Sequence, residues 1–284
     1  MSKIAVVTDS TTYMPPELVK KYNISVAPQV LIWGDQTYKD GVDIQSAEFF
    51  TRLKTAKVMP TTSQVAVVSF QEIFQDLVAE DHEVLALLVS SKLSGTVQSA
   101  LQAQELMGPA GEKVHIVDSQ SVAMALGFQV LAVARALEGG ASLKDALALA
   151  QNAYQYTGLF FTPETLEFLH RGGRIGGAQR FVGTMLNMKP ILAIKDGRVE
   201  PVERIRTKSK AHSRVLELIL EKAKGKSPVR LATLHANAAD EAKALLRRAE
   251  QELQPVESVF TEVSPTVGTH AGPGTVGLAF MAGL

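Results

Sequence analysis

Short apolar runs punctuate the first half of the chain, and each gives way to a cluster of small hydroxyl residues. Residues 4–7 lead into Thr8-Asp9-Ser10-Thr11-Thr12, residues 85–89 into Ser90-Ser91-Lys92-Leu93-Ser94-Gly95-Thr96, and residues 114–117 into Asp118-Ser119-Gln120-Ser121. A fourth cluster, Pro60-Thr61-Thr62-Ser63-Gln64, follows a less regular apolar stretch. Runs of four to five followed by helical periodicity predict parallel strands, and ligands of parallel sheets collect at the strands' carboxyl ends. Hydroxyls and backbone N–H groups gathered there can bind an oxyanion without a formal positive charge.

The same periodicity predicts a proline-opened helix over 15–22, an extended segment over 25–32 with a turn at Trp33-Gly34-Asp35, and a helix capped by Ser46. Ser69-Phe70-Gln71-Glu72 reads as a capping box. Helices are expected over 96–106 and 123–137, the latter ended by Gly139-Gly140, and over 142–154 with Ser142 as cap. From residue 157 the texture changes. A strand over 157–161 is followed by Thr162-Pro163-Glu164, read as a cap with proline at the first helical position. The strands over 191–195 and 199–205 flank Asp196-Gly197, the strongest hairpin signal in the chain. Helices over 208–224 and 239–253 enclose a strand over 229–234, and further strands are expected over 256–263 and 277–281.

This order predicts an α/β protein of two domains: an N-terminal parallel-sheet domain, residues 1–156, and a C-terminal α/β domain with antiparallel pairing, residues 157–284. A length of 284 residues agrees with two cores.

Composition removes several functions. Lys and Arg balance Asp and Glu at 29 each, so no net field attracts nucleic acid. The absence of cysteine excludes disulfides, thiolate nucleophiles and Cys-based metal sites. The six histidines are never closer than 23 residues, so no local metal-ligand pair exists and no metal is expected. No stretch suits a signal peptide or a membrane span, and a cytoplasmic protein is expected. A phosphate-binding Gly-Lys-Ser/Thr loop is absent, so no nucleotide cofactor is expected. Gly272-Pro273-Gly274-Thr275-Val276-Gly277 has dinucleotide-motif spacing, but too little chain follows for the helix and acidic residue that the motif needs. It reads instead as a tight loop entering a last strand.

Two hydroxyl clusters, around Thr62-Ser63-Gln64 and Ser94-Gly95-Thr96, carry more donors than a helix cap requires, whereas Thr8-Asp9-Ser10 and Asp118-Ser119 suit capping. His270 is flanked by small residues that leave its ring room to face a cleft. Arg171 and Arg174 lie in glycine-rich backbone, where helical salt bridging explains them poorly. Arg204 and Arg206 alternate along a strand and point to one side. These arginines suit a phosphate or an acidic partner.

Thr8-Asp9-Ser10, Thr62-Ser63-Gln64, the 90–96 segment, Asp118-Ser119, Gly172-Gly173-Arg174-Ile175, Lys189-Pro190-Ile191-Leu192, Arg206-Thr207 and His270-Ala271-Gly272-Pro273-Gly274, in this order and spacing, resemble the DegV family. These are fatty-acid-binding carriers associated with bacterial fatty acid kinase. The resemblance spans essentially the whole chain. One departure is Val65-Ala66, where the family often has proline and serine. The resemblance implies a long-chain fatty acid as ligand, its carboxylate held by Thr62, Ser63, Ser94, the Gly95 backbone and His270. It also implies presentation to a separate ATP-dependent kinase subunit for acyl phosphate formation, with Arg174 and Arg206 serving phosphoryl transfer or docking. The chain itself is then a carrier, not an enzyme. Candidate tail contacts are Phe160, Phe161, Phe168, Phe181, Met185, Leu186, Met188 and Phe280. Two other readings stay open: an acyl hydrolase using Ser94, His270 and Asp9 or Asp118, although Ser94 lacks the preceding glycine of a nucleophile elbow, and a ligand-free regulatory α/β domain.

Overall fold

The computed structural model describes residues 3–183 and 188–284. Three sheets form. Strands β1 (Lys3–Asp9), β2 (Ser25–Ala27), β6 (His82–Leu88) and β7 (Val114–Asp118) make a parallel sheet in the order β2-β1-β6-β7. Strands β3 (Val30–Trp33), β4 (Gln36–Lys39) and β5 (Thr61–Ser63) make a small antiparallel sheet centred on β3. The third sheet takes its strands from residue 157 onward: β8 (Thr157–Thr162), β9 (Lys189–Lys195), β10 (Arg198–Ile205), β11 (Val229–His235), β12 (Glu257–Val259) and β13 (Val276–Ala282). Its order is β10-β9-β8-β13-β11-β12, antiparallel except between β11 and β12.

Helix α5 (Ala123–Glu138) explains how the two large sheets share a core. Its sequence is apolar nearly all round, and eleven of its sixteen residues are buried. It packs against β1 and β6 on one side and against β8, β11 and β13 on the other. Outside this layer, α3 (Val67–Ala79) and α4 (Thr96–Leu106) cover the parallel sheet, while α8 (Lys208–Ala223) and α9 (Ala239–Leu253) cover the six-stranded one. The remaining helices are α1 (Pro16–Lys21), α2 (Ser46–Leu53), α6 (Leu143–Asn152), α7 (Glu167–Arg171) and α10 (Pro265–Ala271). Among the described residues no helix is long and apolar enough to cross a membrane.

Several local expectations are corrected. The segment over 25–32 is not one strand: it breaks at Pro28-Gln29, and its halves join different sheets. The fourth hydroxyl cluster does not follow a parallel strand; Thr61–Ser63 is itself a strand, with Thr62 opposite Leu31. Ser46 does not cap α2, because its buried hydroxyl donates instead to the Val263 carbonyl at 2.8 Å. The capping box at Ser69 is unused, since α3 begins at Val67. Thr162 stays in β8 opposite Val276, and α7 starts only at Glu167. The strand over 256–263 stops at Val259, after which the Thr233 hydroxyl takes over the ladder's role, donating to the Thr261 carbonyl and accepting from its N–H. Residues 265–271, to which the sequence pattern assigns no element, form α10, with Ser264 capping through the Val267 N–H and proline at the first position.

Candidate functional site

A cleft with about 770 Å³ of empty space, counted to its mouth, lies where the carboxyl end of the parallel sheet meets the inner face of the six-stranded sheet. Leu159 and Phe161 of β8, Ile194 of β9, Val199 of β10 and Leu234 of β11 give it an apolar wall. Opposite stand Val89 and Leu93 from the loop after β6, and Val122 and Ala123 at the start of α5. The hairpin turn at Asp196-Gly197 is fastened to that loop: Ser90 Oγ donates to the Gly197 carbonyl at 2.8 Å, and Lys92 Nζ to the Asp196 carbonyl at 2.7 Å.

Polar groups converge on one part of this cleft. Thr62 Oγ1 and His270 Nε2 lie 2.7 Å apart although 208 residues separate them. Ser63 and Ser94 also line the cleft. The Gly95 backbone passes so close to the Gln64 side chain that a Cβ there would stand 2.7 Å from Oε1. Ser94 Oγ pairs with Thr96 Oγ1 at 2.8 Å. The buried Gln29 amide then links Thr96 (2.8 Å) to Asp9 Oδ1 (3.3 Å). Asp9 is fully buried, which raises its pKa, but it also accepts from the N–H groups of Thr11 and Val89. Its work is to hold the loops, as the capping reading of Thr8-Asp9-Ser10 expects. Asp118 likewise accepts from Ser91 and the Gln120 N–H.

Burial and the neighbouring Arg174 push His270 down to about 4, so its ring is neutral near pH 7. A carboxylate beside Thr62 needs the threonine proton. The tautomer in which Nε2–H donates to Thr62 Oγ1 would leave that hydroxyl free to donate onward. Nδ1 is buried and has no partner among the described residues.

Arg174 lines the same cleft and is its only charged lining residue among those described. Its guanidinium donates to the carbonyls of Leu93 (2.9 Å, from Nε) and Gly172 (2.7 Å). The glycine-rich backbone around it is there for proximity: a Cβ at Gly172 would fall 2.0 Å from His270 Nδ1. Arg206 is elsewhere. It is exposed beyond the end of β10 and lies seven residues from Val199, about 20 Å at strand rise. Arg206 is not among the residues that line the cleft with Arg174. Arg171 ends α7 and pairs with Glu167 across one turn, so helical salt bridging does account for it. Arg204 stands over the Phe181 ring.

Of the proposed tail contacts, Phe161 lines the cleft. Phe160 points to the opposite face, where it stacks on Phe280 at 6.4 Å within the core under α8. Phe168, Phe181 and Met188 are not among the lining residues, Phe168 instead packing on Gly272. Met185 and Leu186 lie outside the described residues. The polar lining residues missed from sequence are Gln29 and Thr266, and the apolar wall of Leu159, Ile194, Val199 and Leu234 was missed as well. Thr266 precedes His270 by four, a helical spacing concealed by Gly268 and Gly272.

The hydrolase arrangement is not assembled. Ser94 bonds Thr96 rather than His270, and no carboxylate reaches His270 Nδ1. Among the described residues, no group of three His, Asp or Glu is placed to hold a metal ion.

Comparison with known proteins agrees with this architecture. A family model described as "Uncharacterised protein, DegV family" matches residues 3–283. A DegV domain-containing protein of Halalkalibacterium halodurans is 37% identical over 281 residues, covering 99% of each chain. Protein DegV of Bacillus subtilis is 32% identical over 278 residues, covering 98% of each. Among solved structures, a Thermus thermophilus DegV family protein described as binding fatty acid superposes with a TM-score of 0.93 at 35% identity, covering 99% of both chains. The B. subtilis structure, described as a fatty acid binding protein, gives 0.90 at 30% identity over 99% of this chain and all of that one. With sequence match and fold agreeing from end to end, this chain belongs to the DegV family.

Proposed function

We propose that this protein is a carrier that binds a long-chain fatty acid in the cleft and presents its carboxylate to a separate ATP-dependent fatty acid kinase. In this reading the tail lies against Leu159, Phe161 and Leu234. Thr62, Ser63, Ser94, the Gly95 backbone and His270 receive the carboxylate. The division into residues 1–156 and 157–284 is part of the same reading, with the cleft between the two units. The observation that carries it is the joining of an apolar cleft to one polar corner built on the Thr62–His270 pair. Whole-length similarity to structures described as fatty acid binding supports it.

The energetics favour such a ligand. Burying a tail is worth roughly 0.8 kcal/mol per methylene, on the order of 10 kcal/mol for a long chain before ordering costs. One hydrogen bond to a charged group adds about 1.5–3 kcal/mol. The tail supplies affinity and the corner supplies orientation. Arg174, beside the head-group corner, is suited to a developing acyl phosphate, and exposed Arg206 to an acidic face of the kinase.

Mass spectrometry of the protein purified from cells, native and then denatured, tests the reading. Near-stoichiometric long-chain fatty acid is expected. An empty protein that also takes up no added fatty acid would favour the ligand-free regulatory reading, and turnover of an acyl ester would favour the hydrolase.

A further inference from the structure

Asp40, just after β4, is 1% exposed and lines no part of the apolar cleft, yet its carboxylate joins two elements that build the head-group corner. Oδ2 accepts from Ser10 Oγ at 2.7 Å, and Oδ1 accepts from the Thr266 N–H at 3.3 Å. The first contact is to the loop after β1. The second is to the opening turn of α10, the helix whose next turn carries His270.

The connection continues on the Ser94 side. Ser10 Oγ, while donating to Asp40, accepts the Gln29 N–H at 3.0 Å, and the Asp40 N–H donates to the Gln29 carbonyl at 2.9 Å. Asp40, Ser10 and Gln29 thus close a buried ring. From it the Gln29 side chain reaches Thr96 and, through Thr96, Ser94. Sideways, α10 is fixed by Gly268, which has no Cβ to hold off Phe49 and Phe50. At its N-terminus, Asp40 holds it from outside through the Thr266 N–H.

Burying a carboxylate this completely is costly, and its pKa is raised to about 6. A neutral asparagine of the same shape would avoid that cost. It could not, however, accept both the Ser10 hydroxyl and the Thr266 N–H on two oxygens.

We infer that Asp40 is a positioning residue for carboxylate capture, setting α10 and His270 in register with the Ser94 side of the cleft. This deepens the fatty-acid reading and rests on it. It makes head-group recognition depend on a residue outside the cleft, and it leaves tail binding unaffected.

The test compares delipidated wild-type protein with Asp40→Asn, using hexadecanoic acid and hexadecan-1-ol as probes with the same tail. Asp40→Asn should bind the acid about tenfold more weakly, the equivalent of one charge-assisted hydrogen bond. Its affinity for the alcohol should change less than about threefold on the same scale. Equal losses for both probes would mean a general structural role and overturn the inference, as would no loss for either. Should Asp40→Asn fail to fold, Ser10→Ala, which removes the donor to Oδ2, must show the same selective loss, and an unselective one overturns the inference. Wild-type protein that binds neither probe would refute the fatty-acid reading itself, an outcome distinct from wild-type binding with an unaltered variant.

Discussion

Gly172 leaves His270 no room for even one added methyl group, because a Cβ there would stand 2.0 Å from Nδ1. Gly172→Ala should displace the imidazole from Thr62, costing about 1–3 kcal/mol of stability from overpacking. Thermal denaturation and fatty-acid affinity on one preparation check this, and an unchanged affinity would count against the role of His270. Thr62→Ala or Ser94→Ala should leave a folded protein that still takes up lipid, with affinity lowered by about 1.5–3 kcal/mol at most, since the tail outweighs either hydroxyl. Lipid content and acid affinity measure that, and unchanged affinity in the double variant would remove both residues from the site. At this scale the sequence was informative where donors crowd together, as at Thr62-Ser63-Gln64 and Ser94-Gly95-Thr96. Asp40 was illegible because its partners include Thr266, 226 residues away, and nothing near position 40 marks it.

Two titratable groups with large and opposite shifts meet at helix α10. Its own His270 is lowered from 6.5 to about 4, and Asp40 at its N-terminus is raised from 3.8 to about 6. The signs oppose. Between pH 6.5 and 4 the unfolded state binds the His270 proton more readily, so this group's contribution, present above pH 6.5, is lost as pH falls. Between pH 3.8 and 6 the folded state holds the Asp40 proton more tightly, so Asp40 costs stability as pH rises through that window. Each amounts to roughly 3 kcal/mol. His235, also lowered to about 4, acts in the same direction as His270. In urea unfolding, the stability gained between pH 4.5 and 7 should shrink in His270→Gln and grow in Asp40→Asn. A change of the same sign in both would contradict this assignment. Element boundaries were legible where burial follows helical period, as in α4 and α9. A capping role and a strand end failed where a side chain was used elsewhere: Ser46 bonds Val263, and Thr233 replaces the ladder beyond Val259. Helix α10 was concealed by glycines serving close packing, although Ser264-Pro265 marks its start.

The whole molecule places an apolar layer between two sheets and opens a cleft where loops from both meet. The parallel sheet was legible from its apolar runs, and the antiparallel pairing from Asp196-Gly197. The small sheet was not, because β3 is the second half of what reads as one extended segment. Nor could sequence tell that Arg174 enters the cleft while Arg206 stays outside, since the neighbours of neither mark which way its side chain turns. That separation predicts distinct phenotypes. Arg206→Ala should purify with normal fatty-acid content and lose most kinase-dependent acyl phosphate formation through weakened docking. Arg174→Ala should also retain lipid and lose acyl phosphate formation, with kinase binding intact. Co-purification with the kinase and an acyl phosphate assay distinguish them, and loss of lipid from a folded variant would assign that arginine to ligand retention. The central claim is tested most directly by a crystal structure of the protein with added long-chain fatty acid. The account predicts a tail along Leu159 and Phe161 and a carboxylate within hydrogen-bond distance of Thr62 and Ser94. An acyl chain bound outside this cleft, or one whose carboxylate points away from Thr62 and His270, would contradict it.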